Sequence, residues 1–278
     1  MMERNFNAYG RGPTWPVGMR LLPWLMALSV LLLVAGCAAS PSRISEPRDP
    51  LEPLNRAVFR FNTDFDKAFA QPIARGYRAI TPEPIDRGIT NFFANLADVT
   101  SFVNNTLQFK MARAGSDVGR IFINTTVGIL GFYDVATNVG LPSYKEDFGQ
   151  TLGYWGLDSG AFLMLPILGP SSVRDGIGEA GDLFTDPLFH IGPLFEFDGE
   201  EHVYWGLVAL RAVDRRANLL AASEILEEAA LDPYVFLRDA YLQRRHALVH
   251  DGNPPDVEGD DFWDEIDFDD ASGQATRD

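Results

Sequence analysis

Residues 49–62 read DPLEPLNRAVFRFN, and this stretch decides the fold class. Asp49 is placed to cap a helix. Pro50 suits the first helical position, where no backbone N–H is needed, and Glu52 completes a capping box. Behind that start Leu54, Val58, Phe61, Phe65 and Phe69 recur at helical spacing. Beside them on the same cylinder runs a second stripe, Asn55, Phe59, Asn62 and Asp66, which mixes amide, ring and carboxylate.

Moving toward the C-terminus, Thr81-Pro82 begins a second helix whose apolar positions are Ile85, Ile89, Phe92, Leu96, Val99, Val103 and Leu107, with polar residues between. A third is expected from Ser116 to about Leu130, broken at Gly131 and resumed through Asn138, with Leu141-Pro142 ending it. Residues 143–200 are rich in Gly and Pro. Short helices are expected near Asp147–Tyr154 and Ser172–Phe184, with an extended apolar piece, Ala161–Leu168, between them. A long helix follows from about Glu200 to Ala230, and Asp232-Pro233 caps one more through about Val249. Strand-like alternation is almost absent, so the fold class is all-α.

Moving toward the N-terminus, residues 38–48 (AASPSRISEPR) form a Ser/Pro linker. Before it, an apolar run from Leu21 to Val34 follows Arg20 and closes on Val34-Ala35-Gly36-Cys37. A positive flank, a short apolar core and a small-residue end describe a secretory signal, and the run is about half the roughly 20 residues that a stable span needs. Gly36-Cys37 resembles the lipobox of bacterial lipoproteins, which implies cleavage before Cys37 and an N-acyl diacylglycerol on its thiol and amine. Ala38 and Ala39, where an inner-membrane retention signal has Asp, resemble an outer-membrane destination. Three acyl chains would make that attachment effectively permanent.

Composition narrows the function classes. Hydrophobic content of 46% is ample for a core. Cys37 is the single cysteine, so disulfide, zinc-finger, iron–sulfur and thiol-redox frameworks lack ligands. The net charge of −16 argues against a nucleic-acid partner. Much of that charge is local: from Asp251 onward stand eleven acidic residues against Arg277 alone, so this segment is expected to be disordered. Around Asp260–Ile266 it mixes negatives with large apolars, either as a solubilising run or as a dock for a basic partner. Enzymatic constellations are missing. No Gly-x-Ser-x-Gly elbow occurs, and His246 and His250 share a helix face without the Glu of a His-Glu-x-x-His zinc motif. The chain divides into a signal peptide (1–36), a linker from the lipidated Cys37 (37–48), one helical domain (49–250) and an acidic tail (251–278).

Several fragments recur in order. After the DPLE–NR–F–FN opening come Asn91-Phe92-Phe93 with Asn95-Leu96, and Arg120-Ile121-Phe122 with Asn124-Thr125. Gly128, Gly131-Phe132 and Asp134-Val135-Ala136 follow, then Phe148-Gly149-Gln150-Thr151-Leu152-Gly153. Leu165-Pro166, Leu168-Gly169-Pro170-Ser171, Arg174-Asp175, Asp232-Pro233-Tyr234 and Tyr241 with Gln243-Arg244 complete the set. Together, over about residues 49–246, they resemble the VacJ/MlaA family of outer-membrane lipoproteins. Pro53-Leu54 stands where that family often has Gly-Phe or Gly-Tyr, and Gly160-Ala161 where it has Gly-Pro. The resemblance implies a single amphipathic helical ring around a central channel, lying in the periplasmic leaflet. It further implies removal of phospholipids that have strayed into the outer leaflet, their transfer to a soluble periplasmic carrier, and association with trimeric porins. No cofactor is implied beyond the acyl groups on Cys37.

Two site expectations follow from the residues. The stripe Asn55, Phe59, Asn62 and Asp66 either faces the channel, where amides and ions lower the barrier to a headgroup, or serves packing, with Asn55 and Asn62 capping neighbouring helices. The region Ile121–Val139 reads as a bent hairpin with Gly128 and Gly131 relieving backbone crowding. With Phe132 it is either a mobile gate or a tightly packed core turn. The rival to lipid transport is a structural lipoprotein that braces porins without moving lipid. An envelope phospholipase is the third reading, and it lacks a nucleophile.

Overall fold

The computed structural model describes residues 49–190 and 200–254. The signal segment, Cys37, the linker and the tail beyond residue 254 lie outside the described residues. The expected all-α class is the one observed, with a single two-stranded hairpin added. Helix α1 spans Glu52–Phe65 and runs through a π-helical turn, Asp66–Ala70, into α2, Gln71–Ile80. Pro72 explains the wide turn. Its ring and missing N–H disrupt the ordinary α-helical bonding, and a π-turn accommodates the mismatch, with Gln71 N–H donating to Asp66 O. Then come α3 (Glu83–Leu107), α4 (Met111–Thr126), α5 (Val135–Asn138) and α6 (Phe148–Tyr154). Strands β1 (Phe162–Leu165) and β2 (Gly169–Ser172) pair antiparallel, Phe162 opposite Ser172 and Leu165 opposite Gly169. Helix α7 covers Val173–Asp182, a 3₁₀ turn covers Pro187–His190, and α8 (Glu200–Asn218), α9 (Leu220–Ala229) and α10 (Pro233–Val249) follow.

Three helices start where the sequence places them, and each has a side-chain cap, of which Asp232 was the one expected. Asp147 accepts from Gln150 N–H, Ser172 from Asp175 N–H, and Asp232 from Tyr234 and Val235 N–H. The first helix differs. Asp49 makes no cap to α1; its carboxylate is buried and accepts from Asn55 Nδ2 (2.8 Å), Tyr234 Oη (2.5 Å) and Arg238 Nη1 (3.5 Å). Glu52 pairs with Arg56 instead of closing a capping box. The reason is competition: a cation and two neutral donors outbid the backbone N–H groups of an exposed first turn. The chain's opening is thereby tied to its last helix. The long helix expected over 200–230 is divided between α8 and α9, and the extended piece at 161–168 is the first strand of a hairpin.

The interior is the reverse of a water-soluble core. Among the described residues, buried polar or charged side chains outnumber buried apolar ones by twenty-one to ten. The apolar clusters are small: Phe162, Met164 and Tyr234 with Val58 and Phe59 around them, and Ala74, Ala217 and Leu220. Meanwhile Phe61, Phe65 and Phe69 stack successively along α1 and the π-turn, with Phe61 and Phe69 more than half exposed. Ile73, Ile80, Phe122, Val127, Ile129 and Leu130 are exposed as well. No helix among the described residues is long and apolar enough to cross a membrane.

Candidate functional site

The stripe Asn55, Phe59, Asn62 and Asp66 makes packing contacts along its length, with Asn55 buried and the other three half-buried. Asn55 is 1% exposed. Its Nδ2 donates to Phe162 O (3.0 Å) and its Oδ1 accepts from Met164 N–H (2.9 Å). Asn62 repeats the pattern, with Nδ2 to Leu165 O (2.9 Å) and Ile167 N–H to Oδ1 (2.8 Å). Each amide acts as a fragment of backbone against the free edge of β1. The spacing fits: seven residues at about 1.5 Å of helical rise, and three at about 3.3 Å along a strand, are both roughly 10 Å. Phe59 meets Tyr234 edge to face at 5.7 Å. Asp66 receives Arg216 Nε (2.6 Å) and Nη2 (2.7 Å) as well as Gln71 Nε2. Burial raises the Asp66 carboxyl, but the hydrogen bonds of Arg216 and Gln71 outweigh it and hold it below the usual range. The four residues thus join α1 to the hairpin, α10 and α8. Asn55 and Asn62 satisfy a strand edge, not helix ends, because an extended segment leaves alternate N–H and C=O groups to be paired.

The turn between α4 and α5 is a second distinctive site. Ile129 (φ 55°), Leu130 (φ 55°) and Gly131 (φ 88°) stand consecutively in the left-handed region. That geometry is costly for a β-branched residue, by about 1–3 kcal/mol, and it persists only where the surroundings enforce it. The surroundings are close. A Cβ on Gly131 would lie 2.6 Å from Asn95 Cβ, and the Phe132 ring covers Gly88 of α3 so closely that a Cβ there would overlap it. Gly128 is hemmed in by Tyr133 O and Asn124 O. Asn91 Nδ2 donates to Phe132 O (3.2 Å), and Asn95 Nδ2 to Thr125 Oγ1 (3.0 Å). The tip itself, Val127, Ile129, Leu130 and Tyr133, is exposed. Gly128, Gly131 and Phe132 therefore belong to a braced turn that presents an apolar tip.

Beneath the tip is a charged brace. Arg120, 3% exposed, donates through Nε to Asp98 Oδ2 (3.0 Å), through Nη1 to Thr137 Oγ1 and Leu141 O (3.0 Å each), and through Nη2 to Asp134 (3.3 Å). Asn124 donates to Asp134 Oδ1 and accepts from Ala136 N–H. Burial pushes the Asp98 carboxyl up despite Arg120. Asp134 is held below the usual range: burial opposes ionisation there, but Thr137, Asn124 and Arg120 together prevail. Farther along α3, Asn105 Nδ2 donates to Asp117 Oδ2 (2.8 Å), and Gln108 Nε2 donates to Glu146 and Thr151 (3.0 Å each). Asp117 has no cation in contact, and burial pushes it up to about 7.

These bracing residues were not among the expected site residues, although a signal for them exists. Asn91, Asn95, Asp98, Ser101, Asn105 and Gln108 recur at spacings of three and four, as regular a stripe as the apolar one beside them. It is the stripe that faces inward. The His246 and His250 rings meet at 4.6 Å, tilted by 58°, at the end of α10. Among the described residues no group of three or more His, Cys, Asp or Glu is arranged to hold a metal ion.

Fold and site define a mostly helical protein with a hydrogen-bonded polar interior, an apolar outer face and a braced apolar tip. Comparison with known proteins gives the class a family. The model of the MlaA lipoprotein family matches residues 47–248, and the chain belongs to that family. It is 32% identical to the intermembrane phospholipid transport system lipoprotein MlaA of Escherichia coli, over 84% of this chain and 91% of that one. The Haemophilus influenzae protein of the same name is also 32% identical, covering 82% and 90%. A solved chain from work on the structural basis for maintenance of bacterial outer membrane lipid asymmetry superposes with a TM-score of 0.62 at 32% identity. It covers 72% of this chain and 98% of its own length.

Proposed function

We propose that this chain works in intermembrane phospholipid transport and so maintains outer-membrane lipid asymmetry. In this reading it is anchored through acylated Cys37 on the periplasmic side of the outer membrane. It draws mislocalised phospholipid from the outer leaflet through an amphipathic channel and delivers it to a soluble periplasmic carrier, beside a trimeric porin. The step is translocation without covalent chemistry.

One observation carries the proposal: large apolar side chains lie outside and amides and ions inside. In water that arrangement is unfavourable at about 25 cal/mol per Å² of apolar surface. Against acyl chains the exposed surface has no such penalty, while the interior satisfies its polar groups internally. A helical platform lying in one leaflet fits this, since no described helix spans a bilayer. The stripe Asn55, Phe59, Asn62 and Asp66 serves by fixing the hairpin and α8 to α1. The turn carrying Gly128, Gly131 and Phe132 serves as the gate, its tip touching lipid while its base stays fixed.

The test is surface phospholipid in cells lacking the chain. Deletion raises it and the natural chain clears it. Leu130→Asp is expected to fold normally, because Leu130 is exposed and Asp tolerates a left-handed φ, yet to fail to clear. Full clearance by that variant would favour the porin-bracing reading, in which any folded chain suffices.

A further inference from the structure

At the end of α10 the chain turns sharply. Asp251 N–H donates to Leu248 O, Gly252 N–H to Ala247 O, and both residues take positive φ. The turn delivers the Asp251 carboxylate to α4, some 140 positions earlier. There Lys110 Nζ (2.6 Å) and Arg113 Nη1 (2.5 Å) converge on the same atom, Asp251 Oδ1. The two cations also reach Glu146 Oε1, but at 3.3 and 3.4 Å. Glu146 is buried and fixed from behind, its Oε2 accepting from Gln108 and its N–H donating to Ser101 Oγ. Each cation lies over a ring, Lys110 Nζ 5.4 Å from the Tyr154 centroid and Arg113 Cζ 4.9 Å from that of Tyr144. Lys110 is flanked in sequence by Phe109 and Met111, and Tyr154 by Trp155, all exposed. Asp251 was expected to begin the tail; it is instead part of the folded domain.

Charge decides what the arrangement offers. Lys110, Arg113, Glu146 and Asp251 sum to zero. Glu146 cannot leave, whereas Asp251 is a partly exposed residue at a chain turn. Without it the pocket has two cations, one buried anion and two aromatic rings, a surplus of one positive charge aimed at one oxygen position. Two N–H donors converging on a single anionic oxygen suit a phosphate, and exposed Phe109, Met111 and Trp155 suit acyl chains next to it.

We propose that Lys110 and Arg113 form a seat for the phosphate of a phospholipid headgroup, and that Asp251 occupies it as an internal stand-in which the lipid displaces. The seat deepens the transport reading by assigning headgroup contacts within the domain, and it rests on that reading for its ligand class.

The experiment uses the full chain in nonionic detergent and dihexanoyl phosphatidic acid as probe, with Kd measured by calorimetry. Asp251→Asn is expected to tighten Kd at least threefold by removing the competitor. Lys110→Gln and Arg113→Gln are expected to weaken it at least threefold. Asp64→Asn, the same charge change at an exposed site on α1, is expected to leave it unchanged. Inorganic phosphate is expected to bind at least tenfold more weakly than the lipid. Equal affinity for inorganic phosphate would overturn the lipid assignment, and an Asp251→Asn shift no larger than that of Asp64→Asn would overturn the seat. A fall in melting temperature with Asp251→Asn and no change in Kd would make Asp251 a structural latch, again overturning it. If Lys110→Gln does not fold, Asp251→Asn and Arg113→Gln decide. Failure here leaves the Leu130→Asp clearance test, and hence the transport reading, untouched.

Discussion

Two ion clusters, six residues apart in sequence, tie the last helix to the rest of the domain, and they differ in how deeply they are buried. At Arg245 the guanidinium is shared between two carboxylates. Nη1 and Nη2 bind Asp147 (2.5 and 2.9 Å) and Nη2 binds Asp175 (2.8 Å), while Tyr241 Oη and Arg174 complete the Asp175 shell. Burial alone would raise both carboxyls. The hydrogen bonds and charge of Arg245, joined by Gln150 at Asp147 and by Tyr241 and Arg174 at Asp175, reverse that and hold both below the usual range. At Asp251 the carboxylate faces two cations but stays partly exposed. The first cluster is closed and holds the fold together. The second can exchange one anion for another without uncovering a buried charge.

Removing Arg245 breaks that contrast most severely. Arg245→Leu takes the guanidinium from Asp147 and leaves Asp175 with Arg174 alone, and is expected to cost about 3–5 kcal/mol in chemical denaturation. A loss under 1 kcal/mol would mean that Tyr241 and Gln150 suffice.

Asp117 sharpens the comparison, being a fully buried carboxylate with no cation in contact. Its folded value of about 7 lies above the unfolded one near 4. The folded state therefore holds the proton more tightly between those values, and stability falls as pH rises through that window. Asp117→Asn is expected to remove that slope, worth on the order of 4 kcal/mol, and to offer a donor to Asn105 Oδ1, which has no partner. Melting curves at pH 4 to 8 check this; an unchanged slope would assign it elsewhere. The smallest effect is at the open cluster, where Asp251→Asn should cost no more than about 1 kcal/mol, as for other partly exposed pairs. A loss like that of Arg245→Leu would erase the distinction.

Much of the fold was legible because helical signals are local. Asp147, Ser172 and Asp232 cap the helices they precede, since a side-chain oxygen needs only the next two or three N–H groups. Asp49 has the same local signature and a different fate, because Tyr234 and Arg238 reach it from the far end of the chain. The hairpin at 162–172 was legible only as extended, since the Asn55–Asn62 clamp on its edge joins residues more than a hundred positions apart. The turn at Gly128 and Gly131 was legible as a break in a helix. Its brace was legible only in part: Asn91 and Asn95 belong to a regular polar stripe, whereas the Phe132 ring over Gly88 joins two helices and leaves no periodic trace.

By itself the sequence determined that the domain is helical, where most helices begin, and to which family the chain belongs. It also marked two faces on each helix, one apolar and one polar. Only the tertiary structure decided that the polar face of α3 turns inward and the aromatic ridge of α1 turns out. Periodicity separates the faces of a helix but carries no sign. Whether the greasy side seeks the core or the surroundings depends on what surrounds the molecule, and that is settled when whole helices pack together.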